Sequence, residues 1–205
     1  MTNTIYLASA SPRRHELLNQ IGIAHRILNV PAPPGEDEPR HQNESPLEYV
    51  QRTALDKAIR AREYLEGLDD PGCHVDQAGT PDIAILAADT TVAFGDLVLG
   101  KPTDTADAVQ ILRLLSGQTH TVHTSVVLLY KRFQWRTLST SNVTFAVISN
   151  QEIDEYISTG EPFGKAGAYG IQGYAAKFIS RIEGSYSGVM GLPLYETSNL
   201  LKHLD

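Results

Sequence analysis

Three observations predict an α/β fold. Stretches with strand and helix character alternate along most of the chain. The uninterrupted apolar run Ile83-Ala84-Ile85-Leu86-Ala87-Ala88 reads as a strand covered on both faces. Residues 119 to 130 and 135 to 148 read as the long strands of one antiparallel hairpin. The length, 205 residues, suits one large domain or two small lobes, and the chain is read as a single domain, 1–205.

Taken in order, Ile5-Tyr6-Leu7-Ala8 is a short apolar strand. It turns through Ser9-Ala10-Ser11 into a helix with Ser11 at the N-cap, Pro12 at the first helical position and Gly22 as its stop. Arg13 and Arg14 fall in the first turn, where the helix dipole favours negative charge. They are either solvated or part of an anion site made of backbone N–H groups, serine hydroxyls and guanidinium. Residues 23 to 30 read as a second strand, ended by Pro31-Ala32-Pro33-Pro34-Gly35. The acidic knot Glu36-Asp37-Glu38 that follows is either a solvated loop or a place to hold Mg²⁺.

Ser45-Pro46-Leu47-Glu48 is a capping box that opens a long helix with Val50, Ala54, Ala58, Ala61 and Leu65 as its apolar stripe. Lys57 lies beside that stripe, so it either snorkels from the core edge or points into a site. Residues 67 to 82 read as a long surface loop. Asp89 then ends the apolar run, where a carboxylate needs a metal, a lysine or a helix N-terminus as partner. Ligands gather at strand ends of this kind in open α/β sheets.

A hairpin around Gly95-Asp96 leads to Gly100-Lys101-Pro102, which sets a lysine at a rigid turn. A helix is expected from Asp104 to Ser116, ended by Gly117. His120 and His123 are three apart in a strand and so face opposite sides, which argues against a shared metal. Ser149-Asn150-Gln151-Glu152 is a second capping box. From Glu161 to Gly173 glycine recurs every third residue, the pattern of a backbone that must approach a ligand or another chain. Gln172 stands in that stretch with one donor and one acceptor to offer. Residues 174 to 182 are expected as a strand, 183 to 188 as a turn and 193 to 204 as the last helix.

The net charge of −7 and the pI near 5.5 argue against nucleic acid as a bulk electrostatic partner. Cys73 is the sole cysteine, which excludes an intrachain disulfide and fits a reducing compartment. No apolar run approaches the length of a membrane span, and no signal-peptide pattern stands at the N-terminus. A cytoplasmic protein with no nucleic-acid or membrane partner is expected.

Five stretches form a recognisable set: Ser9-Ala10-Ser11-Pro12-Arg13-Arg14, Ala88-Asp89-Thr90, Gly100-Lys101-Pro102, Lys165-Ala166-Gly167-Ala168-Tyr169-Gly170-Ile171-Gln172-Gly173, and Gly184-Ser185-Tyr186 with Gly191-Leu192-Pro193. In this order they resemble the Maf family of nucleoside triphosphate pyrophosphatases, and within it the branch acting on dTTP and UTP. The resemblance implies an elongated, twisted mixed sheet with flanking helices and two lobes around a central cleft, related to inosine triphosphatases. It implies hydrolysis of the α–β phosphoanhydride to a nucleoside monophosphate and pyrophosphate. It also implies a divalent metal, Mg²⁺ or Mn²⁺, a homodimer, and links to the removal of non-standard pyrimidine nucleotides and to cell division.

By the same resemblance Asp89 is the general base, and Asp37 and Glu38, with Asp89, hold metal. Ser9, Arg13, Arg14, Lys57, Lys101 and Lys165 bind substrate, while Arg13, Thr90 and Gln172 mark the dTTP/UTP branch. Relatives usually carry Asp where this chain has Gly164, so a carboxylate that would hold metal or orient Lys165 is missing. That departure keeps a second reading in view, a catalytically weak nucleotide-binding regulator of cell division.

Overall fold

The computed structural model describes residues 4–31, 38–67 and 83–204. Strand β1 (Ile5–Leu7), helix α1 (Pro12–Gln20) and strand β2 (His25–Ile27) come first. Ser11 holds the N-cap position of α1 but makes no side-chain cap bond; its N–H is met instead by Ser9 Oγ at 3.2 Å. Helix α2 (Pro46–Glu66) opens on the expected capping box, with Ser45 and Glu48 each satisfying the other's backbone N–H. The expected loop from 67 to 82 lies outside the described residues beyond Gly67, as do Glu36 and Asp37.

Strand β3 (Ala84–Phe94) corrects the expectation for Asp89. The strand continues past the carboxylate because Thr90, Thr91 and Val92 are β-branched and stay in the ladder. Asp89 therefore sits in mid-strand. The hairpin to β4 (Leu97–Leu99) turns at Gly95, whose φ of +58° suits glycine. Helix α3 (Thr105–Leu115) is capped by Asp104, and the hairpin β5 (Thr119–Tyr130) and β6 (Phe133–Phe145) is as expected. Helix α4 (Asn150–Ser158) carries the second capping box.

The C-terminal part differs from expectation in two places. Residues Tyr174–Phe178 form a 3₁₀ turn, and strand β7 is only Ile179–Glu183. Ala175 and Phe178 face the core at a spacing of three, which a strand could not bury on one side. The expected turn after Gly184 contains a short helix, α5 (Tyr186–Met190), started by the Ser185 hydroxyl accepting from Gly188 N–H. Helix α6 (Leu194–Leu201) ends the fold with a 3₁₀ turn.

Among the described residues seven strands make one open mixed sheet, in the order β2-β1-β3-β5-β6-β7, with β4 beside β3. Strand β1 is parallel to β2 and β3, and the remaining pairs are antiparallel. Hydrophobic packing collects at two ends. At one end Ala84, Leu86 and Ala88 of β3 pack under α1 and α6, while Ile85 and Ala87 pack under α2 on the other face. At the other end Val92, Leu112, Phe145, Tyr156 and Phe178 form a separate core. Between them a polar belt crosses the sheet, Asp89–Thr91 paired with His123–Ser125 and these in turn with Leu138–Thr140. Two lobes and a waist are thus written in β3 itself. Among the described residues no helix is long and apolar enough to cross a membrane.

Candidate active site

A cavity of about 520 Å³ opens over this waist, within the usual range for small-molecule sites. Ser9, Arg13, Arg14, Lys57, Asp89, Thr90, Lys101, Lys165 and Gln172 all line it. Five separate stretches thus bring the side chains expected to bind substrate to one cavity. Glu38 lies just outside the wall and joins through Lys57; Asp37 lies outside the described residues.

The carboxylate of Asp89 is buried, and its cost is offset by two donors from α2. Lys57 Nζ reaches Oδ1 at 2.5 Å, and the hydroxyl of Thr53 donates to Oδ2 at 2.8 Å. The same ammonium lies 2.8 Å from Glu38 Oε2, while Arg60 reaches Glu38 Oε1 at 3.3 Å. Thr53, Lys57 and Arg60 recur at i, i+4 and i+7, so one face of α2 serves the site beside its apolar stripe. Thr53 and Arg60 escaped the sequence reading, and that spacing was the signal for them.

Arg14 is fixed on three sides. Its Nε donates to Gly191 O at 2.8 Å, and its terminal nitrogens reach Ser9 Oγ at 3.1 Å and Thr90 Oγ1 at 3.4 Å. Burial pushes its pKa down, against the opposing pull of Asp89. Arg13 Nε donates to Met190 O at 3.2 Å. Both guanidiniums thus hold α1 to the end of α5, which explains why arginines tolerate the wrong end of a helix dipole.

Across the cavity, the chain from Glu161 to Tyr174 is packed around glycines. Gly167 has φ +68°, and a Cβ there would meet Val92 Cγ1 at 2.8 Å, so only glycine fits. Its N–H donates to Gly100 O at 3.0 Å, tying this segment to the turn that carries Lys101. Lys165 donates its ammonium to the carbonyl of Glu161. Burial lowers its pKa, as does Arg13, while Glu161 raises it. Lys165 is therefore oriented without a carboxylate at position 164, where Gly164 lines the cavity with φ +75°.

Two carboxylates facing one ammonium also test the expected metal. Glu38 Oε2 and Asp89 Oδ1 converge on the Lys57 ammonium, and two carboxylates are oxygen donors of the kind Mg²⁺ or Mn²⁺ takes when water and phosphate complete the shell. Among the described residues no group of three or more His, Cys, Asp or Glu could hold an ion alone. These two carboxylates fit a hard cation only with further ligands from water or phosphate.

The family model for Maf-like proteins matches residues 4–204. The chain belongs to the Maf family. The dTTP/UTP pyrophosphatase of Bordetella parapertussis is 53% identical over 97% of this Maf chain and 91% of its own length. The proteins of the same name from Cupriavidus metallidurans and Xanthomonas euvesicatoria are each 48% identical, over 98% and 96% of this chain and 97% and 96% of their own. A nucleoside-triphosphatase described as a dITP/XTP pyrophosphatase, from Mycobacterium abscessus, aligns over 98% of this chain and 94% of its own at 16% identity and TM-score 0.44, too distant to carry weight.

Proposed function

We propose that this Maf protein hydrolyses dTTP and UTP to the nucleoside monophosphate and pyrophosphate. One observation carries the reading: a buried carboxylate, Asp89, shares a nucleotide-sized cavity with Arg13, Arg14, Lys57 and Lys101. The close relatives named dTTP/UTP pyrophosphatase support it. A triphosphate brings about four negative charges, which a protein of net charge −7 must meet locally. These four cations, with Arg60 and Lys165 on the same wall, do so.

Phosphoryl chemistry asks mainly for positioning and charge neutralisation. Asp89, held by Lys57 and Thr53, orients a water toward the α-phosphorus and takes its proton as the new P–O bond forms. The bridging P–O bond to the β-phosphate breaks, and pyrophosphate leaves with the electron pair. Arg14 is already locked before substrate arrives, so its charge costs no rearrangement. Glu38 and Asp89 would hold Mg²⁺ or Mn²⁺, whose part is to neutralise phosphate oxygens. The carboxamide of Gln172 donates to a base carbonyl and accepts from N3–H, the pattern of uracil and thymine. A cytosine ring presents the opposite pattern at those atoms and pairs only with the amide turned over.

A pyrophosphate-release assay over the common nucleoside triphosphates, with Mg²⁺ and with Mn²⁺ and with products identified, tests the reading. UTP and dTTP are expected on the order of a hundredfold above the others in kcat/KM. Equal rates on every nucleotide remove Gln172 from base recognition, and binding without pyrophosphate favours the regulator. The reading includes a homodimer and a cytoplasmic location, supported by the family resemblance and by the sole cysteine. Light scattering after size exclusion checks the first, and cell fractionation checks the second.

A further inference from the structure

We propose that Glu161 is a positioning residue for base recognition, its carboxylate pinning the segment that presents Gln172. The inference rests on the function proposed above and deepens it. Glu161 belongs to the glycine-rich stretch, yet neither phosphate binding nor proton transfer uses it.

Its side chain turns inward against the glycine-rich segment. Oε1 accepts from the Tyr156 hydroxyl at 2.9 Å and from Ala175 N–H at 3.4 Å; Oε2 accepts from Tyr174 N–H at 2.8 Å. The carbonyl of the same residue accepts from the Lys165 ammonium. One residue thus fastens both limbs of the loop, its start through Lys165 and its end through Tyr174 and Ala175. Gln172 lies just inside the second fastening, on a turn closed by Gly173 N–H donating to Gly170 O at 3.0 Å.

The packing is as tight as the bonding. A Cβ on Gly173 would fall 2.2 Å from Glu161 Oε2, and one on Gly170 would fall 3.5 Å from Oε1. A side chain at 173 would therefore have to push the carboxylate out of its bonds, while the backbone there, extended at φ −106°, makes no demand for glycine. Tyr156 is fully buried in the core beneath and stacks on Tyr174 at 5.8 Å between ring centroids. Burial, reinforced by Glu161, pushes its phenol well above the ordinary value, so it remains a donor at any working pH. The exposed Gln172 side chain is aimed by this half-buried clasp.

Steady-state kinetics on UTP, dTTP and CTP, with amide exchange on the unliganded protein, test the proposal. Glu161→Gln keeps the size but turns an amide N–H₂ toward an N–H. Loss of that charge-assisted bond is expected to raise KM for UTP and dTTP about tenfold and to erode the preference over CTP by a similar factor, with kcat within about threefold. Exchange at the Tyr174 and Ala175 amides should quicken in the variant. Gly173→Ala, which displaces the carboxylate from the opposite side, should show the same pattern and decides the question if Glu161→Gln does not fold. Unchanged KM and preference in the folded variant, or a uniform loss confined to kcat, overturns the positioning role. Wild-type protein that hydrolyses neither UTP nor dTTP defeats the function instead. In that case the exchange rates still decide the clasp: quickening in either variant upholds it, and no change in both overturns it.

Discussion

Arg14 and Gln172 face one cavity from two kinds of structure. Arg14 stands on a helix, with each of its three guanidinium nitrogens held by Gly191, Ser9 or Thr90. Gln172 stands on a segment without regular structure, exposed, and shaped by glycines and the Glu161 carboxylate. The difference follows the chemistry. Charge must be met in place before reaction, since a cation that has to move loses part of its benefit. A base edge is flat and varied, so its reader is carried on chain whose contour is set residue by residue. Changes on the phosphate side should therefore strike kcat, and changes on the base side should strike KM and selectivity.

The largest effect is expected at the centre of the phosphate side. Asp89→Asn should lower kcat by about two orders of magnitude or more, measured as pyrophosphate release at saturating UTP. Near-normal turnover would take Asp89 out of the reaction. Lys57→Met leaves two carboxylates facing each other without their shared ammonium. A fall of about tenfold or more in kcat is expected, together with a lower urea midpoint from the stranded Asp89 charge. On the base side, Gln172→Ala should raise KM for UTP about tenfold while kcat holds within a few-fold. A variant of Gln172 that lost kcat alone would break the contrast between the two sides.

The smallest effect on turnover concerns the floor beneath the base side, where the change is in stability. His120 is buried, with Nε2 2.8 Å from the Tyr169 hydroxyl, and burial pushes its pKa down to about 4. The unfolded chain, with the ordinary value near 6.5, takes up the proton first. Stability is then full above about pH 6.5 and is lost as pH falls toward 4. The loss is under about 1 kcal/mol from pH 7 to 6 and reaches about 3 kcal/mol by pH 4. Urea midpoints across that range measure it, and His120→Gln should flatten the slope.

Much of this was legible in the residues. Both capping boxes, the Gly95 hairpin and the long β5–β6 pair follow from local chemistry that tertiary packing did not need to override. Arg13 and Arg14 drew notice because they contradict the dipole of their own helix, but the cations of the site were assigned through the family resemblance. What escaped depended on distant partners. Thr53 looks like one more helical threonine until Asp89 arrives from β3 to accept its proton. The stretch 174–178 alternates well enough to pass for a strand, but Tyr156 and Glu161 hold its backbone as a 3₁₀ turn. Asp89 passed for a strand end because a charge inside a ladder is costly, and the two donors that offset it lie on α2.

The polar belt has a mechanical consequence. Strands β3, β5 and β6 run through it with unbroken pairing, from Ala84 opposite Tyr130 to Ala93 opposite Thr121, and from Thr119 opposite Thr144 to Tyr130 opposite Phe133. A clam-shell motion would have to swing on a hinge, and three continuous ribbons leave no residue free to act as one. Substrate is then met by a cavity already formed, and the paired strands of structures with and without nucleotide should superpose.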